Sequence, residues 1–354
     1  MDPREPDILE HEPEPRGIMR ALGALAGVGV LLLAVGIIGL VVRVPYFSES
    51  PGDAYDVLPL IQIDGAREYP TDGRLLLTTV SFSSGRLSAW QYLMAWLDPD
   101  TDLVPEAELL APGQTIEEEN ELQEAAMDQS QLLATAVALE AVGDYPEAHG
   151  PGALIQGTLE GCDAHGKLFP GNVVTEVDGR PVNDARDVPR LLDAAAAGAP
   201  IEFTVDIGKK EVTVDVRRTA CGPDDEVLVG VQVLDAFPID VEIDDAGVGG
   251  PSAGLMLALG IYDKLTPGDL TGGSAVAGTG QIDAEGNVYG IGGIDKKLKG
   301  AAASGAEVFF VPEANLEDAR RAGVEDLRLV PVDSFDDAVA FLAGDTVASA
   351  KEGT

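Results

Sequence analysis

The sequence predicts an α+β protein preceded by one transmembrane helix. Three observations predict it. An unbroken apolar run covers Ala21 to Val42. Beyond it, short β-branched runs bounded by Gly, Asp and Pro alternate with segments of helical period. The 354 residues, 45% of them hydrophobic, suffice for two or three compact domains with a real core.

The apolar run has 22 residues between Arg20 and Arg43. At a rise of about 1.5 Å per residue it spans roughly 33 Å, near the hydrocarbon thickness of a bilayer. A cleavable signal peptide has a shorter apolar region of about 7–15 residues and a small-residue cleavage site, and none precedes Arg43-Val-Pro. Residues 21–43 are therefore expected to be a retained, single-pass anchor in the plasma membrane. Arg16 and Arg20 lie before it and Arg43 alone close behind. The positive-inside rule then leaves residues 1–20 as a cytoplasmic tail and everything after Arg43 extracytoplasmic.

Composition narrows the function. Sixty-one acidic residues against 23 basic ones give a net charge of −38. That field repels phosphate backbones, so no nucleic-acid partner is expected. The three histidines are His11, His149 and His165, and neither HExxH nor a Cys/His cluster occurs, so no metal site is expected. No Walker A sequence occurs, so no ATP and no other cofactor is expected. The two cysteines, Cys162 and Cys221, follow the anchor, where a disulfide could persist; two separate buried thiols are the alternative.

Residues 44–145 read as a connector, a strand and helices packing with the last module. Arg74 to Phe82 is a strand between Asp72-Gly73 and Ser83-Ser84-Gly85. Leu87 to Leu97 is a helix carrying Trp90, Tyr92 and Trp96. These aromatics are expected to pack into the core rather than to touch the membrane interface. Glu117 to Val142 is a longer helix with apolar residues at helical spacing, an acidic first turn and Gly143 as its stop.

Residues 146–225 change character. A strand at Ala153–Leu159 is followed by two apolar strands around the Asp178-Gly179 turn, a helix from Asp184 to Ala197, and strands at Ile201–Ile207 and Val212–Val216. This order, with the segment Pro170-Gly-Asn-Val-Val-Thr-Glu-Val-Asp-Gly-Arg-Pro-Val182, resembles a bacterial PDZ domain, with Asn172 where Asp is usual. A small α/β spacer is the alternative. The resemblance implies extended-peptide binding by strand addition, with a carboxylate-binding loop near the start of the first strand, at Gly152, Ala153 and Leu154.

Residues 226–345 hold the strongest motifs, and 346–354 read as a flexible tail. In Gly247-Val-Gly-Gly-Pro-Ser-Ala-Gly-Leu-Met256, Ser252 stands at the mouth of an apolar helix, between Gly250-Pro251 and Ala253-Gly254. There its hydroxyl and nearby N–H groups meet the positive end of a helix dipole, which suits an oxyanion; a plain helix cap is the alternative. Downstream, Ala275 to Asp283 and Val288 to Ala302 read as a hairpin, a Gly-Gly turn and a helix with Lys296, Lys297 and Lys299, three of the chain's eight lysines. A lysine held among Gly, Ile, Leu and Ala loses hydration, and its neutral amine becomes a base able to activate a serine. Three solvated lysines are the alternative.

Gly250-Pro-Ser-Ala-Gly254, Thr279-Gly-Gln-Ile282 and Gly292-Gly-Ile-Asp-Lys-Lys297 together resemble the Lon protease catalytic domain. The resemblance implies a Ser252 nucleophile, a Lys297 base and a Thr279 that orients the lysine; Asp295 and Lys296 read as surface groups. Gly249 stands where ATP-dependent members commonly carry an acidic residue. The order of anchor, PDZ and Lon-like segments resembles the membrane-bound, ATP-independent branch, in which the PDZ domain is an insertion; the strand Arg74–Phe82 then belongs to the catalytic sheet. The implied partners are unfolded or flexible protein substrates and further copies in a homo-oligomer. The competing reading is a catalytically silent PDZ scaffold, or a chaperone or adaptor for exported proteins.

Overall fold

The computed structural model describes residues 15–352 apart from 144, 196–198, 208–209 and 223–225, and side chains within 25–344. The chain divides into a smaller unit, 1–49 with 82–111, and a larger one, 50–81 with 112–354.

In the larger unit, a mostly parallel sheet positions the site. Its strands run in the order Arg328–Val332, Val308–Pro312, Ala275–Gly278, then the parts of Arg74–Phe82 and Tyr46–Asp56 that fall within 50–81. Ala275–Gly278 pairs in parallel with both Val308–Pro312 and Arg74–Phe82, so a strand some 200 positions upstream lies at the centre of this sheet. Side-chain alternation gives each strand two apolar faces. Leu75, Leu77, Val276 and Phe310 pack with the helices Ile116–Val142, Gly254–Leu265 and Phe335–Glu352. Leu76, Ala277, Phe309 and Val311 pack with Ile294–Ala303 and Leu316–Ala322. The last helix continues into 346–354, the stretch expected as a tail; 353 and 354 lie outside the described residues.

The second sheet of this unit runs Val231–Asp235, Ala153–Thr158, Val173–Val177, Ile201–Ile207, Lys210–Val216, with Arg180–Pro181 paired to Val173–Val177. Its pairings are antiparallel, and the helix Asp187–Ala194 packs on it through Val188 and Leu191. Cys162 and Cys221 form a disulfide, Cα–Cα 5.1 Å. Val231–Asp235 pairs with Ala153–Thr158, so this sheet continues beyond the expected module boundary at 225.

The smaller unit holds the helix Pro15–Val41, a pairing of Tyr46–Glu49 with Asp102–Pro105, and the helix Ala89–Leu97. Ser88 and Gln91 form a capping box that starts this last helix. Residues 1–14 lie outside the described residues, as do the side chains of 15–24. Among the described residues no helix is long and apolar enough to cross a membrane. From Leu25 to Val42 the large aliphatic side chains are almost all exposed. Trp96 is 67% exposed, which corrects the expectation that the aromatics of this segment pack into the core. Trp90 and Tyr92 are half-buried.

Candidate active site

The Ser252 loop is built by short-range geometry. Asp244 and Asp245 accept hydrogen bonds from the backbone N–H groups of Ala246 and Gly247, turning the chain out of the strand Asp240–Ile243. Gly250 has φ +87°, a left-handed conformation that only glycine adopts freely, and its N–H donates to Gln123 O at 2.8 Å. Pro251–Ala253 then form a single 3-10 turn leading into Gly254–Leu265. A Cβ at Gly254 would lie 2.7 Å from Ile282 Cγ2 and 2.8 Å from Ser130 Oγ, so the loop packs closely only because this position is glycine. Neither the turn nor the helix is capped by a side chain, which removes the reading of Ser252 as a plain helix cap.

Three contacts hold Ser252 and its turn. Thr279 Oγ1 donates to Ser252 O at 3.0 Å, and Gly280 N donates to the same carbonyl at 2.9 Å. Ser130, buried on the helix Ile116–Val142, donates through Oγ to Pro251 O at 3.0 Å. With its backbone fixed, Ser252 presents a half-exposed hydroxyl to Lys297.

Lys297 comes from the helix Ile294–Ala303 on the opposite face of the sheet. Its side chain is 4% exposed, and Nζ lies 2.9 Å from Ser252 Oγ and donates to Thr78 O at 2.7 Å. Burial pulls its amine from the ordinary 10.5 down to about 8, because charge is poorly solvated there. A neutral amine so placed donates one N–H to the Thr78 carbonyl and turns its lone pair to the Ser252 hydroxyl. The arrangement can remove the serine proton.

Sequence and structure agree on Ser252 and Lys297 as neighbours and place Gly250, Pro251, Ala253, Gly254 and Thr279 around them. Thr279 corrects its expected role: its hydroxyl goes to the Ser252 carbonyl, fixing the backbone of the serine rather than the lysine. Lys296 is also corrected. It is 2% exposed, paired with Asp295 Oδ2 at 2.9 Å, because the neighbouring helix face is itself covered. Gly152, Ala153 and Leu154 are not placed to bind a peptide as a strand. Ala153 and Leu154 are buried, and their strand is paired on one edge by Val231–Asp235 and on the other by Val173–Val177, leaving no edge to add to. His149 and His165 bond to Gly150 O and Thr158 Oγ1. Among the described residues no group of three or more His, Cys, Asp or Glu is placed to hold a metal ion.

Sequence reasoning missed Thr78, Gln123 and Ser130. Thr78 and Gln123 act through main-chain carbonyls, which carry no residue-type signal. Ser130 could have been found as a polar residue within the apolar stripe of its helix.

Residues 227–343 match the Lon protease (S16) C-terminal proteolytic domain. Ser252, Thr279 and Lys297 fall inside that stretch, and Thr78, Gln123 and Ser130 upstream of it. This chain therefore carries a serine peptidase domain of the Lon type. Among relatives, Lon protease 2 of Bacillus subtilis is 31% identical over 136 residues, 36% of this chain and 24% of that one. Lon protease 2 of Herpetosiphon aurantiacus is 38% identical over 87 residues, 24% and 10% of the two chains. The match thus spans about a quarter of the first relative's length or less. Among solved structures, the PDZ domain of an SdrC-like protein from Listeria innocua is 20% identical, with a TM-score of 0.21, covering 23% of this chain and 92% of that one.

Proposed function

We propose that the protein is an ATP-independent serine endopeptidase, anchored by its N-terminal helix, that cleaves unfolded or flexible proteins at the extracytoplasmic face of the plasma membrane. The observation that carries the peptidase reading is the 2.9 Å approach of a buried, weakly basic Lys297 to Ser252 Oγ. Neutral Lys297 takes the hydroxyl proton as Oγ bonds to the peptide carbonyl carbon. Backbone N–H groups of the Ser252 turn receive the oxyanion; losing one such donor typically costs about 2.7–4 kcal/mol. The lysine then protonates the departing amine, and water, deprotonated by the same amine, releases the acyl group.

The remaining parts of the reading have separate supports. The apolar run Ala21–Val42 and the preceding arginines support the anchor and its orientation. The Cys162–Cys221 disulfide suits an oxidising compartment. The resemblance of 170–182 and the antiparallel sheet support a PDZ-type module. Its accepting edge would be Val231–Asp235, which ends the sheet order, rather than the interior strand after Gly152. Substrates would then be captured as extended segments and cleaved without unfolding energy, by a homo-oligomer as the resemblance implies.

The test is turnover of unfolded casein by the full chain, with Ser252→Ala and Lys297→Ala variants. Each variant is expected to lose at least about a thousandfold. Equal turnover by all three, or none by any, leaves the silent scaffold instead.

A further inference from the structure

We infer that the helix Ala89–Leu97 is a lipid-binding interfacial helix, seated with Leu93, Met94, Trp96 and Leu97 in the headgroup–acyl boundary beside the anchor. This rests on the reading of Ala21–Val42 as membrane-spanning.

The segment Ala-Trp-Gln-Tyr-Leu-Met-Ala-Trp-Leu carries no charge. At about 100° per residue, Leu93, Met94, Trp96 and Leu97 cover an arc of roughly 160° on one side of the helix. All four are exposed, Met94 by 58% and Leu97 by 61%, while Ala95 on the opposite side is buried. A water-facing surface of this composition on a short helix marks a partner.

Three observations identify that partner as lipid. Trp90 lies within the same arc, and its indole N–H donates to Gly36 O of the helix Pro15–Val41 at 3.1 Å. The exposed arc is therefore continuous with the apolar flank of that helix. Gly36 lies seven residues before Arg43, about 10 Å along a helix axis, so the indole reaches below the level of Arg43. Interfacial helices bury their apolar face by about 5–10 Å. Finally, a cleft of about 330 Å³ separates the two helices, apolar at Leu40, Trp90 and Met94 and polar at Arg43, Ser88 and Gln91. That is the amphipathic order of the boundary itself. A net charge of −38 opposes an anionic surface, so seating in the boundary rests on apolar contact and is tested in a zwitterionic lipid.

The chain has two tryptophans, so Trp96 can be read by difference. The full chain and Trp96→Phe are reconstituted in phosphatidylcholine vesicles with and without acyl-chain bromination, and then exposed to acrylamide. The Trp96 emission, wild type minus variant, is expected to fall by about half or more in brominated vesicles and to resist acrylamide. If the protein floats with the vesicles but this emission responds to acrylamide alone, the interfacial seat is overturned and the anchor stands. If it responds to neither, a protein surface covers the helix and the lipid assignment is overturned. If the protein does not float at all, the anchor and the proposal fall together.

Discussion

The proposed roles of Ser252 and Lys297 depend on what surrounds them. With its amine at about 8, Lys297 is neutral in only about one tenth of molecules at pH 7. Turnover per unit substrate is therefore expected to rise about tenfold between pH 7 and pH 9 and then level, which a pH–rate profile checks. The same shift makes a stability prediction. Between about 8 and 10.5 the unfolded lysine holds a proton that the folded one lacks, so stability rises with pH across that window. Relative to Lys297→Met, whose side chain does not titrate, the wild type is expected to gain about 3 kcal/mol over it. Denaturant titrations at pH 7.5 and 10.5 decide this, and a constant difference would sink it. Thr279 is a positioning residue: Thr279→Val should lower kcat with little change in KM, and Thr279→Ser, which keeps the hydroxyl, should restore it.

At the level of elements, two helices carry features whose cost or benefit is measurable. The helix Ile116–Val142 begins with a Thr115–Glu118 capping box and braces the Ser252 loop through Gln123 and Ser130. Thr115→Ala is expected to cost about 1 kcal/mol, measured by chemical denaturation. Gly254–Leu265 buries Asp263, whose Oδ1 accepts from Leu270 N while Oδ2 has no hydrogen-bond partner among the described residues. Desolvation pushes this carboxyl up to about 6. Between 3.8 and about 6 the folded state holds the proton that the unfolded state has lost, so stability falls as pH rises through that range. Asp263→Asn keeps the acceptor and removes the charge. It is expected to be more stable than wild type above pH 6, by about 2–3 kcal/mol, and to lose that advantage below pH 4. The helix Ala89–Leu97 shows the limit of pattern reading at this level. Its residues are apolar nearly all round, so periodicity does not say which face lacks a neighbour, and Trp96 lies outside the core that its residue type suggests.

In the whole molecule, the cross-link lies beside the antiparallel sheet, while Ser252 and Lys297 lie on elements that pack against the mostly parallel one. The disulfide closes a separation of 59 residues beside the antiparallel sheet. Chain-entropy reasoning assigns it about 4 kcal/mol. Reduction, or the double Cys162→Ala and Cys221→Ala variant, is expected to lower the unfolding temperature while leaving the reactivity of Ser252 toward a small acylating probe unchanged. Loss of probe labelling without unfolding would show that the two sheets are coupled.

What the chain's residues determined unaided was which side chains are candidates for the chemistry. Gly250-Pro-Ser-Ala-Gly254 and the Gly292–Lys297 run are local patterns whose residue types point to tight turns, a serine at a helix mouth and a lysine among apolar neighbours, and whose resemblance to the Lon catalytic domain implies a nucleophile and its base. The stop of the long helix at Gly143, the strand at Arg74–Phe82 and the cysteines as a candidate bond were legible for the same reason. Only the fold decided which main-chain carbonyl steadies Lys297, that Thr279 serves the serine, and that the strand after Gly152 is interior. Main-chain acceptors look alike at every position, and an edge strand differs from a central one only in its neighbours. Those properties belong to long-range pairing, and side-chain identity does not encode them one residue at a time.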